Sequence, residues 1–189
     1  MAPPGGETRI ISVMFVDVRG FTSLAEQLSP AEVATRLNRF YALASEAVFH
    51  HDGTLDKLVG DQVMAFFGAP VHEHDHARRA VDTALQIMRG VMEEVNGLKV
   101  GGGIATGEAF VGNVGEGAVK DYTVLGDTVN VAARLQGAAA PGEILLTEET
   151  YAFVQSQYPN APRRELELKG KTGTVAARVI ALPSRENRA

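Results

Sequence analysis

Carboxylates placed at the ends of apolar strands are the residues of this chain best suited to chemistry. Ile10 to Val16 is an apolar run rich in β-branched residues that closes on Asp17, and Gly20-Phe21-Thr22 then opens onto a helical pattern. An ionised carboxylate at the end of such a strand needs a partner, and a divalent cation is a ready one. Gly20 lets the backbone turn tightly, and the N–H groups of Phe21 and Thr22 at the next helix start would be free to bind an anion. A cation beside phosphate donors is the arrangement a nucleoside triphosphate requires. Asp61 follows Gly60 between two strand-like runs, Thr54 to Leu58 and Gln62 to Phe67, where a hairpin turn belongs. If the first strand lies beside that hairpin, Asp61 converges with Asp17. A turn aspartate and a second metal ligand both fit the position. Hard oxygen ligands without His or Cys beside them suit magnesium or manganese.

The elements that must position these residues follow from periodicity. Ser23 to Gln27 reads as a helical turn, and Ser29-Pro30 opens a long amphipathic helix that ends near His51-Asp52-Gly53. Asp75 caps a third helix whose Ala77, Val81, Ala84, Leu85, Met88, Val91, Met92 and Val95 share a face. Lys99 to Ala105 and Ala109 to Val114 are expected as a strand pair joined by Thr106-Gly107-Glu108, and Gly115 to Asp121 as an exposed arm. After a short strand, Tyr122 to Leu125, Gly126-Asp127-Thr128 starts a helix on which Asn130 and Arg134 share a face one turn apart. Glu143 to Thr147, Tyr151 to Val154, Arg164 to Leu168 and Thr174 to Leu182 supply the remaining strand, helix and strand pair. Strands and helices that do not alternate strictly, with hairpins in the middle, predict an α+β fold of the split βαβ kind, its sheet covered by helices on one face. One catalytic domain over residues 9–182 is expected, between a flexible N-terminus (1–8) and a polar C-terminal tail (183–189).

Composition narrows the function. With 45% hydrophobic and 22% charged residues among 189, the chain is an ordinary globular one. A net charge of −5 argues against nucleic acid as the main partner. The absence of cysteine excludes disulfides, thiolate metal sites and thiol nucleophiles. No apolar run reaches the roughly 20 residues of a membrane helix, so a cytoplasmic location is the default expectation. Three weaker signals are set aside. His72, His74 and His76 alternate before a helix and read as solvated rather than as a zinc site. Gly170-Lys171-Thr172 resembles the end of a P-loop, but Glu165 stands where that motif needs glycine. Gly101-Gly102-Gly103 lies at a strand start without the helix a dinucleotide site requires, and reads as close backbone packing.

Three stretches together carry a resemblance: Phe15 to Thr22, Leu55 to Asp61, and Asp121 to Arg134. In this order they resemble the signature blocks of class III nucleotidyl cyclase catalytic domains, and the likeness extends from about Arg9 to Leu182. The resemblance implies a ferredoxin-like sheet with helices packed on it. It implies an enzyme in which Asp17 and Asp61, with the Val18 backbone, hold two divalent ions, Mg2+ or Mn2+. In the family, one ion activates the ribose 3′-hydroxyl and the other binds the triphosphate, for in-line displacement at the α-phosphate. Phe21 and Thr22 would complete the phosphate cradle. Asn130 matches the asparagine that orients the ribose, and Arg134 the arginine that neutralises the transition state. Lys169 matches a lysine that contacts the triphosphate, with Lys171 as the alternative.

The purine is read in the family at two positions, here Lys57 and Thr123. Lysine can donate to adenine N1 and the threonine hydroxyl can accept from the N6 amino group, whereas guanylyl cyclases usually carry glutamate and cysteine there. The expected substrate is therefore ATP and the product cyclic AMP, with a guanylyl or mixed-specificity cyclase as the runner-up. A non-catalytic, nucleotide-binding regulatory partner is the rival of another class. Threonine at the second position also marks a subgroup whose members often respond to bicarbonate. In the family the aspartates come from one subunit and the base, ribose and arginine groups from the other. All of them occur in this chain, so a head-to-tail homodimer with two equivalent sites is expected, bridged by the Gly115 to Asp121 arm.

Overall fold

The apolar run that ends at Asp17 is the middle of the sheet. In the computed structural model, which describes residues 5–95, 98–115, 120–167, 170 and 172–182, strand β1 (Glu7–Arg19) lies antiparallel between β3 (Gln62–Phe67) and β4 (Lys99–Val114). Strand β2 (Thr54–Val59) forms the outer edge beside β3, so the first four strands stand in the order β2-β3-β1-β4. Each connecting helix spans a pair of parallel strands with one antiparallel strand between them, which is the split βαβ arrangement expected. Beyond β4 the sheet continues through β6 (Glu143–Thr147), β8 (Thr174–Ala181) and β7 (Arg163–Glu167), and β5 (Asp121–Leu125) folds back along the far half of β4. The fold is α+β, with one eight-stranded sheet.

Alternation along β1 assigns its two faces. Met14, Val16 and Val18 join Val63, Ala65 and Phe67 in a core under α2 (Pro30–His50) and α3 (His76–Glu94), which includes Phe40, Val81 and Met88. Ile11, Val13 and Phe15 turn the other way, against Phe66, Val124 and Ala132. That second face is covered by β5 and by α4 (Asp127–Ala138), so helices lie on both faces rather than on one. Gly103 is the reason α4 can sit so close: a Cβ there would stand 2.2 Å from the Gln136 amide nitrogen and 2.4 Å from the Ala132 carbonyl oxygen. The close backbone packing expected of the glycine run holds at Gly103; Gly101 makes room for the Arg19 side chain, and a Cβ at Gly102 would make only ordinary contacts. Helix α2 begins as read, with Ser29 and Glu32 forming a reciprocal capping box and Pro30 in the first turn. Two short helices, α1 (Phe21–Ala25) and α5 (Glu148–Val154), complete the elements.

Several expectations need correction. The strand that closes on Asp17 starts at Glu7 rather than Ile10, since Glu7 and Thr8 pair with Val111 and Phe110, and it does not end until Arg19. Thr106-Gly107-Glu108 is no turn: β4 is one continuous strand, because those residues stay in register with Ser12, Ile11 and Ile10. Gly107 there makes room for the Thr128 side chain. Asp75 stands at the cap position of α3, but its carboxylate is taken by Arg78 and Arg79 and makes no cap hydrogen bond. Met92 leaves the buried face of α3 and is exposed. His76 is buried rather than solvated: its Nδ1 shares a 2.8 Å hydrogen bond with Ser12 Oγ, which lies 2.7 Å from Thr106 Oγ1. Residues 116–119 of the expected arm, together with Lys169, Lys171 and the tail, lie outside the described residues.

Candidate active site

Asp17 lies two residues before the end of β1, opposite Gln62, where the pairing with β3 stops, and opposite Gly101 of β4. The β2–β3 turn folds against it: Gly60 takes a left-handed conformation (φ 58°), and Val18 N–H donates to the Asp61 carbonyl at 3.0 Å. Tyr41 of α2 donates its hydroxyl to the Gly60 carbonyl, pinning the tip from the other side. The first strand does lie beside that hairpin, and the backbone hydrogen bond brings Asp61 to the end of β1, so Asp17 and Asp61 are neighbours.

The surroundings of Asp17 are electrostatically unfinished. Its Oδ1 is buried and lacks a hydrogen-bond partner, although Arg19 Nη1 approaches to 3.1 Å. Burial pushes its pKa above the ordinary carboxylate range, against the pull of Arg19 and Gln136, and the nearby Asp61 charge pushes it further. Arg19 donates to the Gln136 carbonyl, and Gln62 Nε2 donates to Gln136 Oε1 at 3.1 Å. A buried carboxylate oxygen that accepts no hydrogen bond, beside a second carboxylate, fits a hard divalent cation. Phe21 and Thr22 form the first turn of α1 immediately after Gly20 (φ 68°).

A second group lies further along β2. Asp56, its side chain 1% exposed, accepts a hydrogen bond from Thr123 Oγ1 at 2.5 Å and another from Lys57 Nζ at 2.7 Å. Lys57 and Thr123, from strands that are not neighbours in the sheet, thus meet on one carboxylate. The hydrogen bond to Asp56 raises the Lys57 pKa against the opposing effect of burial, and the charges of Asp56 and Asp121 add to the rise.

A third group belongs to α4. Asn130 is exposed and Arg134 half-buried. The Arg134 guanidinium lies over Gly170, where an added Cβ would be 3.1 Å from Nη2. This puts Arg134 beside the β7–β8 connection that carries the lysines proposed for the triphosphate. Gln136, two residues on, faces the sheet and Asp17 instead. Arg134 therefore leaves α4 on the side opposite the one that faces Asp17. Neither Asp56 nor Gln136 is singled out by motif reasoning. A carboxylate inside a short strand is an uncommon choice and could have flagged Asp56, whereas a lone helical glutamine carries no comparable signal.

Known proteins give this arrangement a family. The profile of the adenylate and guanylate cyclase catalytic domain matches residues 6–180. Adenylate cyclase 1 of Rhizobium meliloti is 39% identical over 135 residues, 67% of this chain and 20% of the relative. Uncharacterized protein Rv1320c of Mycobacterium tuberculosis is 38% identical over 148 residues, 77% of this chain and 26% of that protein. The chain thus spans about a quarter or less of the length of the curated relatives it matches. Among solved structures, the guanylyl cyclase Cya2 superposes with a TM-score of 0.85 at 31% identity, covering 97% of this chain and 98% of Cya2. The adenylyl cyclase CyaB from P. aeruginosa does so with 0.81, also at 31% identity, covering 94% and 97%. Two neighbours of equal identity and opposite base preference leave the purine to be argued from the site itself. The chain belongs to the adenylate and guanylate cyclase catalytic domain family.

Proposed function

We propose that this chain is an adenylyl cyclase that converts ATP to 3′,5′-cyclic AMP and pyrophosphate at sites shared across a head-to-tail homodimer. The observation that carries the base preference is the meeting of Lys57 and Thr123 on Asp56, which sets an ammonium donor and a hydroxyl side by side. Adenine offers an acceptor at N1 next to an amino donor at C6, so this pair can serve both. Guanine presents the reverse order, an N–H at N1 and an oxygen at C6.

Asn130, exposed on α4, orients the ribose, and Arg134, one turn on, holds the charge that develops on the α-phosphate oxygens. Phe21 and Thr22 supply backbone amides to the phosphates, with Lys169 or Lys171 closing over them. Asp17, Asp61 and the Val18 backbone hold Mg2+ or Mn2+, two per site. When bound, these ions supply Lewis acidity to the 3′-hydroxyl and to the triphosphate. The opposed directions of Arg134, which lies at Gly170, and Gln136, which lies at Asp17, support a site built from two chains.

Product formation by the purified protein with manganese and either ATP or GTP tests this reading, with Asp17→Ala as the control. Cyclic AMP from ATP, abolished in the control, is the expected outcome. Cyclic GMP as the main product would overturn the base assignment, and no cyclic product from a dimeric sample would overturn the enzyme reading.

A further inference from the structure

Strand β2 breaks its register at Asp56. Leu55 pairs with Ala65 and Lys57 with the adjacent Met64, so Asp56 is an extra residue without a partner across the ladder. In a regular strand Asp56 and Lys57 would point to opposite faces of the sheet. A bulge re-aims side chains and recurs beside active sites. Here it lets both side chains meet, and turns the Asp56 carboxylate toward Thr123 on β5. A carboxylate with 1% of its side chain exposed is costly unless paired, and its partners here are the two groups that read the purine.

We propose that Asp56 is the positioning residue for purine choice: by accepting hydrogen bonds from the Thr123 hydroxyl and from Lys57 Nζ, it leaves Thr123 only able to accept and fixes the direction of the Lys57 ammonium, a donor in any state. This rests on the base assignment made above and explains how threonine can discriminate at all. A free hydroxyl has one proton and two lone pairs, and could turn to serve either a 6-amino or a 6-oxo purine. An ionised carboxylate is an acceptor only, so the proton shared at 2.5 Å is committed to Asp56 and the lone pairs face the base. A 6-oxo purine then sets oxygen against oxygen at C6 and N–H against ammonium at N1, leaving two desolvated groups unpaired.

The test compares kcat/KM for ATP and GTP in the unmodified protein, Asp56→Asn, Thr123→Val and the double variant. Asp56→Asn should lower the ATP:GTP ratio by about tenfold or more, because an amide can donate to the threonine and turn its proton outward. In the Thr123→Val background the same change should lose most of its effect. A purely structural role would depress both nucleotides alike and leave the ratio unchanged. If Thr123→Val alters the ratio and Asp56→Asn does not, the role of Asp56 is overturned and the base assignment survives. If neither alters it, the base assignment falls and this inference with it. Should Asp56→Asn not fold, the unmodified protein decides with two analogues that both keep N1 as an acceptor. Purine riboside triphosphate should be the better substrate than 6-methoxypurine riboside triphosphate, a difference that shrinks in Thr123→Val. Equal or better turnover of the methoxy analogue would show the hydroxyl donating to it, and would overturn the proposal.

Discussion

Arg134 and Gln136 stand two residues apart on α4 and face opposite ways. Gln136 is 4% exposed and lies over Asp17 and Arg19, whereas Arg134, about 200° around the helix, lies over Gly170. On the role proposed for Arg134, an arginine on the side of α4 opposite Gln136 and Asp17 would serve the aspartates of another chain. Asp17→Ala and Arg134→Ala, each inactive alone, should therefore regain activity on mixing. With random exchange half the dimers are mixed and each holds one intact site of two, so about a quarter of the unmodified activity is expected. Absence of recovery in a mixture shown to contain mixed dimers would mean that each site forms within a single chain.

The position of α4 depends on Gly103. An added Cβ would press on helix backbone at 2.2 and 2.4 Å, and backbone cannot yield as a side-chain tip can. Gly103→Ala should destabilise by about 1–3 kcal/mol or more and lower Tm by about 2–4 °C for each kcal/mol lost. Gly102→Ala, whose Cβ would make only ordinary contacts at 3.5 Å, is the internal control and should melt close to the unmodified protein. Equal losses in the two variants would show that close approach of α4 is not what requires glycine at 103.

The outer frame of the fold was legible because it rests on local signals. Ser29-Pro30 with Glu32 marks the start of α2, Gly60-Asp61 marks the hairpin, and the alternation through Met14, Val16 and Val18 marks a strand with a buried face. The misread places are those where a distant partner decides. Thr106-Gly107-Glu108 has turn composition, yet pairing with β1 and packing of Thr128 keep it extended. His76 lies in a polar run, and only Ser12, far away in sequence, makes it a buried residue. Within the site, Asp17, Asp61 and the Lys57–Thr123 pair could be named from motifs, and the structure brings each pair together. The carboxylate that joins Lys57 to Thr123 could not be read, because a bulge is a property of two strands in register and not of either strand alone.

His76 makes stability sensitive to mild acid. Burial pushes its pKa below the ordinary histidine value, aided by the His72 and His74 charges and opposed by Asp75. The folded chain therefore holds fewer protons than the unfolded one below the ordinary value of about 6.5, and stability is complete above that pH and falls as the pH drops toward the folded pKa. Carboxylates add their own slope, so the informative quantity is a difference between two curves. Thermal melts from about pH 7.5 down to about 5 should fall more steeply for the unmodified protein than for His76→Gln, which keeps a polar partner for Ser12 but cannot take up a proton. Parallel curves would show that His76 contributes no proton linkage.

The hairpin tip that carries Asp61 is tied to α2 by a side chain from outside the sheet. Tyr41 donates to the Gly60 carbonyl, while Val18 N–H holds the Asp61 carbonyl from β1. Tyr41→Phe removes the outer tie without touching Asp17, Lys57 or Thr123, and its ring can keep its place against Phe40. The loss in stability should be small, about 0.5–1.5 kcal/mol. On the metal role proposed for Asp61, the manganese concentration needed for half-maximal rate should instead rise several-fold, with the ATP:GTP preference unchanged. An altered base preference with unchanged metal dependence would be the opposite result. It would mean that the tip positions Lys57 more than it positions Asp61.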